Sequence, residues 1–140
     1  MRDINCIFCK ISAGEIPSYT IYEDNKFKAI FDLSPVTRGH AIILPKEHFR
    51  NIFELDDEFA KEALFVAKKV ATAMKEVLNC DGFNILQNNE EIAGQTVFHF
   101  HIHLIPRYIN DGVKLSLATG ELDKSNAEDV AAAIRERVKL

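Results

Sequence analysis

Two hydrophobic periods run through the chain. Apolar residues at steps of three and four, Phe59, Ala63, Val66, Val70, Met74 and Val77, trace one face of a long helix from Asp56 to about Asn79. Leu64, Ala67, Ala71 and Leu78 widen the stripe, so this helix should be covered from more than one side. Asp56 is a candidate N-cap, Asp57 and Glu58 suit the positive end of the helix dipole, and Asn79 with Asp81-Gly82 supplies the exit. Elsewhere the pattern is strand-like. Tyr19 to Glu23 and Phe27 to Phe31, separated by Asp24-Asn25-Lys26, read as an antiparallel hairpin. Turn residues Ser34 to Gly39 follow, then an apolar run from His40 to Leu44 that is expected to stop at Pro45.

Past the long helix come a strand at Phe83 to Leu86, a polar loop from Gln87 to Gln95, and a strand from Val97 to Ile105 that Pro106 should end. Asp123 to Val138 reads as a short terminal helix with Ala131, Ala132, Ile134 and Val138 on its inner side. Strands that follow one another around a single central helix predict an α+β fold: an antiparallel sheet of about five strands, one long helix and a short C-terminal helix. With no repeat, low-complexity tract or linker, residues 1–140 read as one domain.

Composition adds exclusions. The net charge is -4 and the 17 basic residues are scattered, which argues against wrapping a nucleic acid but leaves room for one small anion. Met1 to Cys6 lacks the apolar stretch of a signal peptide, and no segment approaches the ~20 apolar residues of a membrane span. A cytoplasmic protein without membrane or nucleic-acid partners is expected. Three cysteines cannot all pair within one chain, and in a reducing compartment Cys6-x-x-Cys9 is more often a metal or redox motif than a disulfide. Cys80 reads as a small buried apolar residue.

The chemistry concentrates in His99-Phe100-His101-Ile102-His103-Leu104-Ile105. Strand alternation puts three imidazoles on one face and Phe100, Ile102 and Leu104 on the other. Same-face neighbours lie ~6.5 to 7 Å apart, close enough to act on one ligand. One alternative is an open metal site of the His-x-His kind, in which a metal-bound water attacks. The two remaining histidines, His40 and His48, flank the Pro45-Lys46-Glu47 turn.

Asp32-Leu33-Ser34-Pro35, Arg38-Gly39-His40, Leu44-Pro45-Lys46-Glu47-His48 and the stretch from His99 to Ile105 together resemble the histidine-triad (HIT) nucleotide-binding proteins, in their bacterial branch. The resemblance runs from Cys6 to about Arg107. It implies a homodimer whose two sheets join, and a site for a purine nucleoside monophosphate. His101 matches the nucleophile, which would form a transient nucleotidyl-histidine without a metal in the chemical step. An imidazole of near-neutral pKa suits that role. By the same resemblance His103 meets the phosphate charge, His40 orients the triad, and Asp32 accepts the ribose hydroxyls. Ile7, Phe8, Ile30 and Ile42 match the walls of the base pocket; ordinary core is their other reading. Asn88, Gly94, Gln95, Thr96 and Val97 match the segment that contacts ribose and phosphate, with Thr96 able to donate to the leaving atom.

Cys6, Cys9, His48 and His99 form a Cys2His2 set of the type that makes closed tetrahedral zinc sites, and related bacterial proteins carry structural zinc this way. Inert packing is the alternative for the two cysteines. The chain has no Trp, unlike the animal adenosine phosphoramidases of this family, which leaves leaving-group specificity open. Asn88 stands where the family's dinucleoside polyphosphate hydrolases have Gln. A nucleoside phosphoramidate hydrolase is therefore the leading expectation. A dinucleoside polyphosphate hydrolase and a nucleotide-binding regulator with vestigial turnover are the alternatives.

Overall fold

In the computed structural model, which describes residues 1–138, nine elements follow one another: α1 (Ile7–Ser12), β1 (Thr20–Glu23), β2 (Phe27–Phe31), β3 (Ala41–Pro45), α2 (Asp57–Leu78), β4 (Gly82–Leu86), a 3-10 turn (Glu91–Ala93), β5 (Ile102–Arg107) and α3 (Ala127–Arg137). The five strands form one antiparallel sheet in the order β1-β2-β3-β5-β4. The expected α+β class, hairpin and long helix are all present.

Register explains the two faces. Ala29 pairs with Ile43, and Ile43 with Ile102, so these side chains share a face with Phe27, Ala41 and Leu104. That face packs against Phe59, Ala63, Val66, Ala67, Val70 and Met74 of α2. On the opposite face Ile30, Ile42 and Leu44 meet Ile11, with Phe8 and Ile16 at the margin. The Asp56 carboxylate accepts the Glu58 N–H at 2.9 Å, capping α2 as expected. Asn79 closes the helix in the left-handed region at φ 52°. Val77 departs from the expected face: it is 81 % exposed, while its neighbour Leu78 packs against the core.

Three boundaries differ from the sequence reading. Pro45 closes β3 as its last residue, as expected, whereas Pro106 lies inside β5 rather than ending it. Pro45 pairs with Phe27 and Pro106 with Phe83, while the β3–β5 pairing spans only 41–43 against 102–104. Each proline thus has a neighbour on one side only, where a missing N–H is tolerated. Regular strand begins at Ile102, not Val97, because side chains occupy the backbone acceptors before it. His101 Nδ1 donates to the His99 carbonyl at 2.7 Å, and His99 Nε2 donates to the Pro45 carbonyl at 2.9 Å. Finally, α3 starts at Ala127 and none of its residues is fully buried; on the expected inner side Ala131 and Ala132 are half-buried, while Ile134 and Val138 are 57 % and 66 % exposed.

Candidate active site and metal centre

A cavity of about 470 Å³ opens on the sheet face that carries α1. Ile7, Phe8, Ile30 and Ile42 form its apolar part, Asp32 stands at one side, and Thr96, Val97, His101 and His103 line the rest. Residues separated by more than ninety positions are thus gathered around one space. They get there because β2 and β3 contribute alternate residues to this face, β5 places His103 opposite Ile42, and α1 lies across the top.

Hydrogen bonding assigns each imidazole a state. The Val36 N–H donates to His40 Nδ1 at 3.1 Å, so that nitrogen carries a lone pair and the proton sits on Nε2. His40 Nε2–H then donates to His103 Nδ1 at 2.9 Å, with Asp32 Oδ2 at 3.7 Å from the same nitrogen. His103 is left with Nε2–H as a donor. On His101 the order is reversed: Nδ1–H donates to the His99 carbonyl, which leaves the Nε2 lone pair unbonded. The ring of His101 is fixed between Phe8, 5.0 Å away edge to face, and His103 at 4.9 Å. Burial holds His101 and His40 below the ordinary imidazole range, against the opposing pull of Asp32. Burial, helped by the neighbouring rings of His101 and His40, takes His103 down to about 4. At neutral pH the cluster is an uncharged set of one acceptor and one donor.

The second constellation is equally compact. The ligand atoms of Cys6, Cys9, His48 and His99 all lie within 4.8 Å of one another. His99 Nδ1 is 3.4 Å from Cys6 Sγ and 3.5 Å from Cys9 Sγ, and His48 Nδ1 is 3.5 Å from Cys9 Sγ. Zinc bonds of 2.3 Å to sulfur and 2.0–2.1 Å to nitrogen at tetrahedral angles require a sulfur–nitrogen spacing of about 3.5 Å. The donor set therefore fits that ion. His99 also makes the second contact that zinc-bound histidines use, Nε2–H to the Pro45 carbonyl, which points its Nδ1 lone pair at the sulfurs. Burial pushes the Cys9 thiol up, so a thiolate there is stable only beside a cation. Among the described residues the other group with metal-ligand geometry is Asp32, His40 and His103. The proton that Val36 fixes on His40 Nε2 faces the place an ion would take. His101 belongs to neither group, so the open His-x-His metal site considered from sequence is not formed by 101 and 103.

Asn88, Gly94 and Gln95 do not line the cavity. Gln95 is 2 % exposed and fully committed to backbone: Nε2–H to Arg50 O and Val97 O, Oε1 to the Glu90 N–H. Gly94, at φ +94°, turns the loop where a Cβ would stand 3.3 Å from Asn88 Nδ2. These three hold the loop that presents Thr96 and Val97. Sequence reasoning missed α1, although it carries Cys9 and Phe8 and follows Cys6; six residues are too few for a periodic signal. Ile16, Pro17 and Ser18, also in the cavity wall, gave no signal of any kind.

A small antiparallel sheet that brings His101 and His103 to one pocket, with His40 behind them and His99 turned into the Cys2His2 cluster, defines a histidine-triad class of site. The family model for the HIT domain matches residues 13–110, and the chain belongs to that family. It is 50% identical over 104 residues to Protein hit of Bacillus subtilis, covering 74% of this chain and 72% of that protein. To the adenosine 5'-monophosphoramidase of Saccharomyces cerevisiae it is 46% identical over 105 residues, 75% of this chain and 64% of that one. Among solved structures, a HIT family protein from Bacillus anthracis is similar at TM-score 0.90 and 46% identity, covering 97% of this chain and 99% of that chain. A zinc-bound histidine triad family protein from Mycobacterium smegmatis is similar at TM-score 0.76 and 33% identity, covering 97% and 99%.

Proposed function

We propose that the chain is a nucleotide-binding hydrolase that cleaves purine nucleoside phosphoramidates, or related nucleoside monophosphate derivatives, through a nucleotidyl-histidine at His101. The observation that carries this reading is the tautomer of His101, whose Nδ1–H is bound to the His99 carbonyl while Nε2 keeps a lone pair. The yeast relative's phosphoramidase activity supports the reaction class.

In this reading the purine lies among Ile7, Phe8, Ile30 and Ile42, and the Asp32 carboxylate accepts the ribose hydroxyls. His101 Nε2 attacks phosphorus as the phosphorus–nitrogen bond to the amine breaks. The departing amine takes a proton, for which the Thr96 hydroxyl is the proposed donor, and His103 Nε2–H meets the charge on the phosphoryl oxygens. Water then cleaves the His101–phosphorus bond and releases the nucleoside monophosphate. His40 acts by keeping His103 in the donor tautomer; Asn88, Gly94 and Gln95 act by holding the loop of Thr96 and Val97. Cys6, Cys9, His48 and His99 would hold a structural zinc, which supplies a rigid cross-link between the N-terminal segment and the strand approach and takes no part in the reaction. We further propose that the chain acts in the cytoplasm as a homodimer, 1–140 forming one unit.

The test is trapping. Rapid mixing with an adenosine phosphoramidate followed by acid-free quench and mass analysis should find an adenylyl group on His101 of the native protein. Turnover without such an adduct, in a protein where release of nucleotide is shown to be slow, would overturn the covalent route.

A further inference from the structure

Between Leu33 and Arg38, in the loop that joins β2 to β3, every residue but one is exposed; Thr37 is buried. Its hydroxyl donates to the Pro106 carbonyl at 2.6 Å, a contact across 69 positions of sequence. The β3–β5 pairing stops at Ala41 and Leu104, so this side chain continues the join between the two segments where the backbone ladder has ended. Tyr108 adds an exposed tie to the same loop, its hydroxyl donating to the Arg38 carbonyl at 2.8 Å. Neither Thr37 nor Tyr108 lines the nucleotide cavity, and the proposed reaction gives neither a step. What they fix is the histidine relay. Val36, beside Thr37, gives its N–H to His40 Nδ1 at 3.1 Å, and the His40 backbone N–H returns to the Thr37 carbonyl at 3.1 Å. His40 Nε2–H donates to His103 Nδ1 at 2.9 Å, and His103 stands three residues before Pro106 on β5. The contacts close a circuit: Thr37 to Pro106, along β5 to His103, across to His40, and back through Val36.

We propose that Thr37 is a positioning residue for the reaction: by clamping the loop to β5 it holds the Val36 N–H on His40 and so keeps a proton on His103 Nε2. Tyr108 supports the same clamp from the surface. Without the clamp, Val36 withdraws and His40 Nδ1 loses its donor. Exchange with solvent then moves the proton of each ring from Nε2 to Nδ1, with no change of charge. His103 donates from Nδ1 to His40 Nε2 and presents a lone pair, not a proton, to the phosphoryl oxygens. Asp32 favours the native proton position on His40 only through space, from 3.7 Å. The catalytic half of this assignment rests on the hydrolase reading; the tautomer half does not.

Thr37→Val keeps the shape of the side chain and removes the hydroxyl, whereas Thr37→Ser keeps the hydroxyl. In zinc-loaded, full-length protein carrying isotope-labelled histidine, long-range proton–nitrogen correlation spectra at neutral pH read the tautomer of each ring. The native protein and Thr37→Ser should show His40 and His103 protonated at Nε2, and Thr37→Val should add a population of both protonated at Nδ1. With an adenosine phosphoramidate, Thr37→Val should lower kcat about tenfold at unchanged KM, the weight of one hydrogen bond, and Thr37→Ser should hold the native rate. Tyr108→Phe removes a surface hydroxyl alone; it should shift a smaller fraction the same way, and it decides the case if Thr37→Val does not fold. Native tautomers in the variant, whatever happens to its melting temperature or rate, would overturn the proposal and leave Thr37 a structural residue. Tautomers that shift while kcat stays native would overturn its catalytic half. Tautomers that shift in a protein whose native form cleaves no phosphoramidate would overturn the hydrolase reading and leave the clamp standing.

Discussion

A histidine becomes a nucleophile, a donor or a metal ligand according to which ring nitrogen is already engaged. His99, His101 and His103 are the same residue type two positions apart, and the backbone divides the work. Pro45 O takes the Nε2–H of His99, His99 O takes the Nδ1–H of His101, and the Val36 N–H acts on His103 through His40. The sequence made the three rings visible as a set, because alternation needs only spacing. It could not assign their tautomers, because Val36 and Pro45 act through backbone groups, which no side-chain pattern reveals. Replacing His101 by Ala should lower kcat by roughly 10⁴-fold or more while nucleotide binding persists. A steady-state assay beside equilibrium binding of AMP reads both. The pH dependence follows from the same groups. Because burial depresses His101 and brings His103 to about 4, both are neutral at the usual imidazole value, and activity should persist through pH 6.5 before falling in more acid solution. Stability should move the same way: in the window between 6.5 and about 4 the unfolded chain binds protons that folded His99 and His103 refuse, so stability is full above it and lost as pH falls through it. A rate profile with its acid limb centred above 6.5 would contradict a buried neutral nucleophile.

At the scale of elements, the parts that sequence made legible were those with a long period or a strong cap. The α2 helix is an instance: Asp56 and Asn79 bound it as expected, and Asp56→Ala should cost about 1 kcal/mol in a denaturant melt. What escaped was decided by contacts between distant segments. Pro106 reads as a stop, yet β5 tolerates it because β3 does not extend that far. The α1 helix is too short to announce itself and is held from outside, with Lys28 Nζ donating to the Ile11 carbonyl at 3.1 Å. The Cys2His2 set joins α1 and its lead-in to the β3 exit and the approach to β5. Losing one ligand should therefore loosen several elements together. His99→Ala or Cys9→Ser should release zinc from protein purified with it and lower the melting temperature by roughly 10 °C, with activity falling as a consequence. His101→Ala should leave metal content and melting unchanged. Metal analysis beside thermal melting distinguishes the two neighbours, and equal zinc loss in both variants would refute their separate roles.

At the scale of the whole molecule, two features remain without a partner among the described residues. β4 is one edge of the sheet, and its Ile85 is 48 % exposed. Beyond Val113, whose carbonyl accepts from Arg107, the chain leaves the body. Leu117 and Leu122 are 90 % and 73 % exposed, and the hydrogen bonds of this arm, Asp123 with Ser125 and Arg135 with Glu128 among them, stay within it. An exposed apolar arm beside an unpaired edge strand invites a second copy, since self-association covers both at once. The expected state is thus a dimer at micromolar concentration by sedimentation. Because no described arm residue belongs to the hydrophobic clusters on either sheet face, a chain ending at Val113 should still fold and hold zinc. It should dissociate at lower concentration than the full chain, or sediment as a monomer. A full-length protein that is monomeric and fully active would remove the dimer from this account, and a truncated chain that dimerises as tightly as the full one would remove the arm from its interface.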